Sequence, residues 1–354
     1  MKNKVICGGI EIGGEAPVSI QSMTNTKTAD VEATVAQCHR LIAAGCDIIR
    51  ITVNTKEAAE GFAKIRKKID APLVADIHFD YTLALAAVNA GADKIRINPG
   101  NIGDIDRVRQ VADACTKAKI PIRVGVNSGS LEKEILAEYG GVCAAGLAES
   151  AIKNAEILER LGFSDIVLSL KASDVRMNNE AYRIVDSKSD YPLHIGVTEA
   201  GTVNSGIIKS SIGIGALLLD GIGNTMRVSL TADPVREVIA AKEILKALDL
   251  KKGAIDIISC PTCGRTEVDL EKIASEIESK LSMVEEKRAS GKKLKVAVMG
   301  CAVNGPGEAR EADIGVACGK GEALIFCRGE IIKKVNEKDI VEETARMVMT
   351  HENL

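Results

Sequence analysis

A (β/α)8 barrel followed by a small α+β domain is the fold class this chain predicts. Three observations lead there. From about Pro17 to Leu248, eight apolar strand-like runs alternate with stretches of helical period. Part of that alternation repeats: Ala44-Gly45-Cys46-Asp47-Ile48-Ile49-Arg50-Ile51 reappears 46 residues later as Ala90-Gly91-Ala92-Asp93-Lys94-Ile95-Arg96-Ile97. Each copy ends a helix at Gly and enters a strand, as a repeated βα unit would. The available core is aliphatic, with 46% hydrophobic residues but only four Phe, four Tyr and no Trp. Such filling is usual in parallel sheets. Eight βα units make a TIM barrel, which takes ~250 residues. An open doubly wound sheet is the competing layout, but no Gly-x-Gly-x-x-Gly follows the first strand.

The elements follow in order. Gly8-Gly9 and Gly13-Gly14, ahead of Pro17, predict a hairpin that closes the barrel bottom. Strands are expected at Val18–Met23, Ile48–Val53, Leu73–Ile77, Lys94–Ile97, Ile122–Val126, Ile166–Leu170, Leu193–Val197 and Thr225–Leu230. The first helix is expected over Asp30–Ala44, with Asp30 as N-cap, Gly45 as stop and Val31, Val35, Cys38 and Ile42 on its apolar face. Lys251-Lys252-Gly253 reads as a linker, so residues 1–250 form the barrel and 254–354 a second domain. In that domain Ile255–Ser259 and Lys295–Met299 read as strands. Leu270, Ile273, Ile277 and Leu281 mark an amphipathic helix. Ile314–Ala317 and Ala323–Cys327 make a hairpin around Gly319-Lys320-Gly321, and a last helix covers Asp339–Met349.

Charge and composition exclude several classes. With 46 basic and 49 acidic residues the chain lacks the basic excess of a nucleic-acid binder. Few aromatics leave no stacking platform for single strands. No run approaches the ~18 apolar residues of a membrane span, and the start lacks a signal-peptide core. The expectation is a cytoplasmic protein with reduced cysteines and no nucleic-acid or membrane partner. Cys38, Cys46, Cys115 and Cys143 read as buried small hydrophobes.

Cysteine is unevenly placed. Cys260-Pro261-Thr262-Cys263 follows a strand, with Cys263 expected at the start of the next helix. Cys301 follows another strand in the loop Gly300-Cys301-Ala302-Val303-Asn304-Gly305-Pro306-Gly307-Glu308. Two thiolates three residues apart can bind one metal centre, and a Gly-rich loop can donate N–H groups to sulfides. The spacing fits an iron–sulfur cluster, a zinc site or a redox pair. Cys318 and Cys327 are explained by packing, which makes Glu308 a candidate fourth ligand.

The barrel carries a second constellation. Arg50, Arg96, Arg123 and Arg227 interrupt apolar strands, and Lys171 follows one. Converging cations at the C-terminal face suit a ligand with more than one phosphate. Asp76, His78, Asn98, Asn127, Asn204 and Ser229 are expected on the same face. Gly196–Gly206 follows strand seven, where barrels often bind phosphate through backbone N–H groups. Glu199 is the acid/base candidate, expected to be partly desolvated among small residues. His194, inside a strand, reads as structural.

At these residues a resemblance emerges. Ser19-Ile20-Gln21-Ser22-Met23-Thr24-Asn25-Thr26, Arg96-Ile97-Asn98-Pro99-Gly100-Asn101, Arg123-Val124-Gly125-Val126-Asn127, His194-Ile195-Gly196-Val197-Thr198-Glu199-Ala200-Gly201 and the two cysteine segments spread over nearly the whole chain. In them the chain resembles the short bacterial form of the 4-hydroxy-3-methylbut-2-enyl diphosphate synthase family of the methylerythritol phosphate route to isoprenoids. The resemblance implies reductive ring opening and dehydroxylation of 2-C-methyl-D-erythritol 2,4-cyclodiphosphate. It implies a [4Fe-4S] cluster on Cys260, Cys263, Cys301 and Glu308, in a domain resembling the sulfite/nitrite reductase module. It also implies flavodoxin or ferredoxin as electron donor and a homodimer in which one chain's cluster domain covers the other's barrel mouth. Glu199 and Asn304 then become catalytic candidates. The rival readings are a zinc-dependent barrel enzyme that condenses a phosphorylated substrate, with a barrel similar to that of pterin-handling synthases, and a non-enzymatic iron–sulfur carrier.

Overall fold

The computed structural model describes residues 2–285, 288, 291–301, 307 and 310–351. It divides into two compact units, Met1–Ile244 and Leu245–Leu354.

The first unit opens with a hairpin of β1 (Val5–Cys7) and β2 (Ile10–Ile12), paired antiparallel. Its turn is Gly8-Gly9, with φ of 55° and 88°. Positive φ at both central residues matches the twist of a two-residue hairpin, and glycine reaches it without a Cβ penalty. Val5, Cys7 and Ile12 pack against Ile48, Val74 and Val167 of three barrel strands, so the hairpin plugs one end as expected.

Eight parallel strands follow: β3 (Ser19–Met23), β4 (Ile48–Thr52), β5 (Leu73–Asp76), β6 (Lys94–Ile97), β7 (Ile122–Asn127), β8 (Ile166–Lys171), β9 (His194–Ile195) and β10 (Thr225–Met226). Their order is β8-β7-β6-β5-β4-β3-β10-β9. A parallel bridge from Leu168 to Leu193 brings the ends together, so the sheet is a nearly closed barrel. The last two strands are shorter than their sequence patterns suggest. After Met226 the ladder continues with one bond, from Arg227 N to the Ile195 carbonyl at 3.0 Å.

The crossover helices are α1 (Val31–Ala43), α2 (Lys56–Arg66), α3 (Tyr81–Asn89), α4 (Pro99–Ile102), α5 (Ile105–Ala118), α6 (Lys133–Glu138), α7 (Ala144–Arg160), α8 (Val175–Lys188), α9 (Val203–Leu219) and α10 (Pro234–Ala247). Asp30 caps α1 by accepting from Ala33 N, as the sequence predicts. The buried face of α1 differs from the expected one: Thr34, Val35, Cys38 and Leu41 face the barrel, while Ile42 is exposed. Cys38, Cys46 and Cys115 are buried. Cys143 is half-buried and caps α7 instead, its Sγ accepting from Gly146 N at 3.4 Å.

The second unit is one five-stranded sheet with helices packed on it. Its strands are β11 (Ile255–Ser259), β12 (Leu294–Met299), β13 (Ile314–Gly319), β14 (Glu322–Cys327) and β15 (Glu330–Asn336), in that order. The first three are parallel, and β14 and β15 are antiparallel additions. The predicted apolar stripe of α11 (Leu270–Glu285) is the buried one, Leu270, Ile273, Ile277 and Leu281, and α12 (Ile340–His351) adds Ile340 and Val348 to the same core. The sequence pattern missed β15. Its Ile331 and Ile332 are both exposed on an edge strand, so no alternation announces it. Among the described residues no helix is long and apolar enough to cross a membrane.

Candidate active site

Because the barrel strands are parallel, their C-terminal ends share one rim. Cα-paired residues on neighbouring strands point to the same side. Asp76 pairs with Arg96, Arg96 with Arg123 and Asn127 with Lys171, so their side chains stand in rows around the barrel. Arg123 and Lys171 are buried, and Arg50, Arg96 and Arg227 are half-buried. Two carboxylates lie among these cations, Asp76 and Glu237.

Asp76 stands 3.3 Å from Arg96 Nη1, 3.8 Å from Arg50 Nε and 3.7 Å from His78 Nε2. Burial alone would raise its carboxyl, but Arg50, Arg96, His78 and Arg123 outweigh that and hold it at about 2. Burial, with the fields of Arg227 and Arg96, pulls Arg50 down to about 10 against the attraction of Asp76. Burial and neighbouring cations push Lys171 and Arg123 well below their ordinary values. The site is thus rich in positive charge that its own carboxylates do not neutralise.

The donors are poorly satisfied. Arg50 gives its Nε and Nη2 hydrogens to the thioether of Met23, at 3.0 and 2.8 Å, and Arg227 Nη1 approaches the same sulfur at 3.6 Å. A thioether is a weak acceptor. Deeper in the barrel, and among the described residues, Arg123 Nε, Lys94 Nζ, Gln21 Nε2 and His194 Nε2 have no hydrogen-bond partner. Lys94 is fully buried, and burial pulls it down to about 8. His194 is buried inside β9, with Nδ1 3.4 Å from Thr225 Oγ1.

Two glycines make room for the cations. A Cβ on Gly125 would lie 2.3 Å from Arg96 Nε. One on Gly196 would lie 2.7 Å from Lys171 Nζ and 2.6 Å from the Arg227 carbonyl.

The remaining predicted residues are more varied. Asn98 is buried and caps α4, its Oδ1 accepting from Gly100 N at 3.2 Å. Ser229 is half-buried in the loop after β10, and Asn204 is exposed in the first turn of α9. Glu199 is exposed, contrary to the expected desolvation, because the small residues around it leave it open to solvent. It has a φ of 51°, in the left-handed region. That conformation costs a non-glycine residue on the order of 1 kcal/mol and recurs where function fixes the backbone.

In the second unit Cys260 directly follows β11 and Cys301 follows β12, so both lie past the C-terminal ends of adjacent parallel strands. Open α/β sheets bind ligands in that position. Gly300 N donates to Cys260 Sγ at 3.4 Å. A Cβ on Gly300 would meet Thr266 Cγ2 at 2.9 Å. Cys263 is exposed in the preceding turn, its N–H donating to Thr266 Oγ1 at 3.2 Å. It does not start a helix as expected. Asp269 accepts from Lys272 N and α11 begins at Leu270, seven residues later. Cys318 is buried and Cys327 half-buried. Among the described residues no group of three His, Cys, Asp or Glu is gathered as a metal site. Glu308 and Asn304 lie outside the described residues. The donor set still fits a thiolate-bound group: Cys260, Cys263 and Cys301, none in a disulfide, sit on two loops laced by Gly300, with the Cys260 thiol already accepting a backbone N–H.

Sequence reasoning missed Met23, Glu237, Gly125 and Gly196. Met23, inside the quoted Ser19–Thr26 segment, Gly125, inside Arg123-Val124-Gly125-Val126-Asn127, and Gly196, inside the strand-seven segment, lay in stretches already marked, whereas Glu237 lay outside all of them.

The chain matches the GcpE TIM-barrel domain over residues 2–242 and the GcpE protein C-terminal domain over residues 256–350. A relative from Fusobacterium nucleatum subsp. nucleatum, named 4-hydroxy-3-methylbut-2-en-1-yl diphosphate synthase (flavodoxin), is 57% identical over 339 residues, covering 96% of this chain and 94% of that protein. A relative of the same name from Clostridium perfringens is 58% identical over 347 residues, covering 98% of both chains. Among solved structures, 7,8-dihydropteroate synthase from Vibrio fischeri ES114 aligns with a TM-score of 0.50 at 12% identity, over 70% of this chain and 98% of that one. This last likeness shows the barrel fold alone. Both domains and the near full-length relatives agree: the chain belongs to the GcpE family.

Proposed function

We propose that this chain converts 2-C-methyl-D-erythritol 2,4-cyclodiphosphate into (E)-4-hydroxy-3-methylbut-2-enyl diphosphate, with flavodoxin as electron donor. It is an oxidoreductase of isoprenoid precursor synthesis. Beyond family membership, the carrying observation is the cationic rim, in which Arg50 Nε and Nη2 and Arg227 Nη1 are turned to a thioether. Those donors gain far more from phosphate oxygens than from sulfur. The zinc-dependent condensing alternative has no support among the relatives.

In this reading Arg50, Arg96, Arg123, Lys171 and Arg227 hold the two phosphates. Asn127, Ser229, Asn204 and the N–H groups at the start of α9 complete the cradle. Thr202 makes no side-chain cap there, which leaves those N–H groups available. Asp76 is itself anionic, so it acts through Arg50 and Arg96 by fixing their orientation. His78 and Asn98 flank the ring. Cys260, Cys263, Cys301 and Glu308 would hold a [4Fe-4S] cluster, which supplies single electrons when bound. Two electrons from flavodoxin are consumed as the ring C–O bond breaks, its oxygen stays on the phosphate, a C=C bond forms, and the departing hydroxyl leaves as water with a proton from Glu199, its carboxyl oriented by the left-handed backbone. Asn304 orients the same oxygen. The enzyme works as a cytoplasmic homodimer.

The test is direct. Anaerobic protein, reduced flavodoxin and the cyclic diphosphate are combined and followed by phosphorus NMR. Appearance of the linear allylic diphosphate supports the reading. Unchanged substrate over iron-loaded protein refutes it.

A further inference from the structure

Glu237 lies on α10 and is 2% exposed. Its carboxylate takes four donors. Oε1 accepts from Arg227 Nη2 at 3.0 Å and Leu230 N at 3.1 Å. Oε2 accepts from Arg227 Nε at 3.1 Å and Ser22 Oγ at 2.9 Å. A carboxylate offers about four lone-pair sites, so this one is saturated from within the chain. It grips one edge of the Arg227 fork bidentately, a geometry that sets both distance and plane. The other edge, Nη1, is left pointing toward Met23 Sδ, the sulfur that also receives Arg50. The Leu230 N bond pins the loop that carries Ser229.

We propose that Glu237 is a positioning residue for the diphosphate site: it holds Arg227 and the Ser229 loop so that one guanidinium edge faces the bound anion. The proposal rests on the functional reading above. It makes an unusual prediction about sign. Glu237 is negative and adjoins an anion site, so by charge alone its removal would tighten diphosphate binding. As a positioning residue its removal weakens binding, because a pre-aimed donor is lost and the guanidinium must be ordered anew.

The experiment is calorimetric titration of the full-length holoprotein with the cyclic diphosphate, beside a thermal melt and a KM against kcat comparison. Glu237→Gln removes the charge and two of the acceptor positions. Glu237→Asp keeps the charge but shortens the reach, and serves if the first variant does not fold. Both are expected to weaken Kd about tenfold and to raise KM more than they lower kcat. In an Arg227→Ala background, Glu237→Gln should weaken binding less than it does alone, the remainder coming from the Ser229 loop that Leu230 N ties to Glu237. Unchanged or tighter binding by the folded variants would overturn the proposal, as would full additivity with Arg227→Ala. If the unaltered protein itself fails to bind the cyclic diphosphate, the functional reading fails instead.

Discussion

Gly125→Ala puts one methyl group where the Arg96 guanidinium now lies. The added carbon would sit 2.3 Å from Nε, 2.7 Å from Nη2 and 2.9 Å from Cζ. Backbone strain plays no part, because Gly125 lies in β7 without a positive φ. Arg96 must therefore swing away, giving up its bonds to the Gly125 carbonyl at 3.2 Å and to Asp76 Oδ1 at 3.3 Å. Hydrogen bonds to charged groups are each worth ~1.5–3 kcal/mol. Loss of one such contact to phosphate should weaken cyclic diphosphate binding by roughly ten- to a hundredfold. Overpacking should cost ~1–3 kcal/mol of stability, so the fold survives if its total lies in the usual range. Isothermal titration of the variant against the unaltered protein, with a melt on each, is the assay. Arg96→Ala should lose as much affinity alone as in combination with Gly125→Ala. Unchanged affinity in Gly125→Ala would refute the clamp geometry.

Other outcomes follow from the same geometry. Glu199→Gln should bind the cyclic diphosphate normally yet lose about a hundredfold or more in turnover; full turnover would remove Glu199 as proton donor. Lys94 is buried at about 8 in the fold against an ordinary value of 10.5. The unfolded chain therefore holds the extra proton between those values, and stability rises with pH across that window. Lys94→Met should melt higher than the unaltered protein at pH 7 and lose that rise; a lower melting point would contradict the unpartnered charge. Asp76 works in the opposite sense. Its carboxyl is held at about 2 in the fold, so its contribution is present above the ordinary 3.8 and is lost as pH falls toward 2. Asp76→Asn should cost roughly 3 kcal/mol, because Arg50 and Arg96 lose their buried partner; denaturation with the unaltered midpoint would argue against that pairing.

Much of the architecture was legible because its causes are local. The Gly8-Gly9 turn, the Asp30 cap and the α11 stripe each depend on residues a few positions apart. The cationic rim was legible too: one arginine in a strand is commonly a structural ion pair, but four across eight strands, with a lysine, are hard to explain by packing alone. The sequence does not carry what depends on distant partners. Glu237 sits in a helical stretch with charges on its neighbours and looks like a solvated face, yet its Ser22 partner is 215 residues away. Met23 reads as core until two arginines are seen to converge on it. Cys143 resembles its buried fellows, and only the geometry of the α7 start makes it a cap. Ile42 falls on the expected stripe, but the crossing of α1 over the barrel buries Leu41 instead.

Metal analysis of protein purified without oxygen tests most directly whether the cysteines of the second unit hold the proposed redox cluster. About four iron and four acid-labile sulfide per chain are expected, lost when Cys260 or Cys301 is replaced by serine. About one zinc with no sulfide would contradict the cluster.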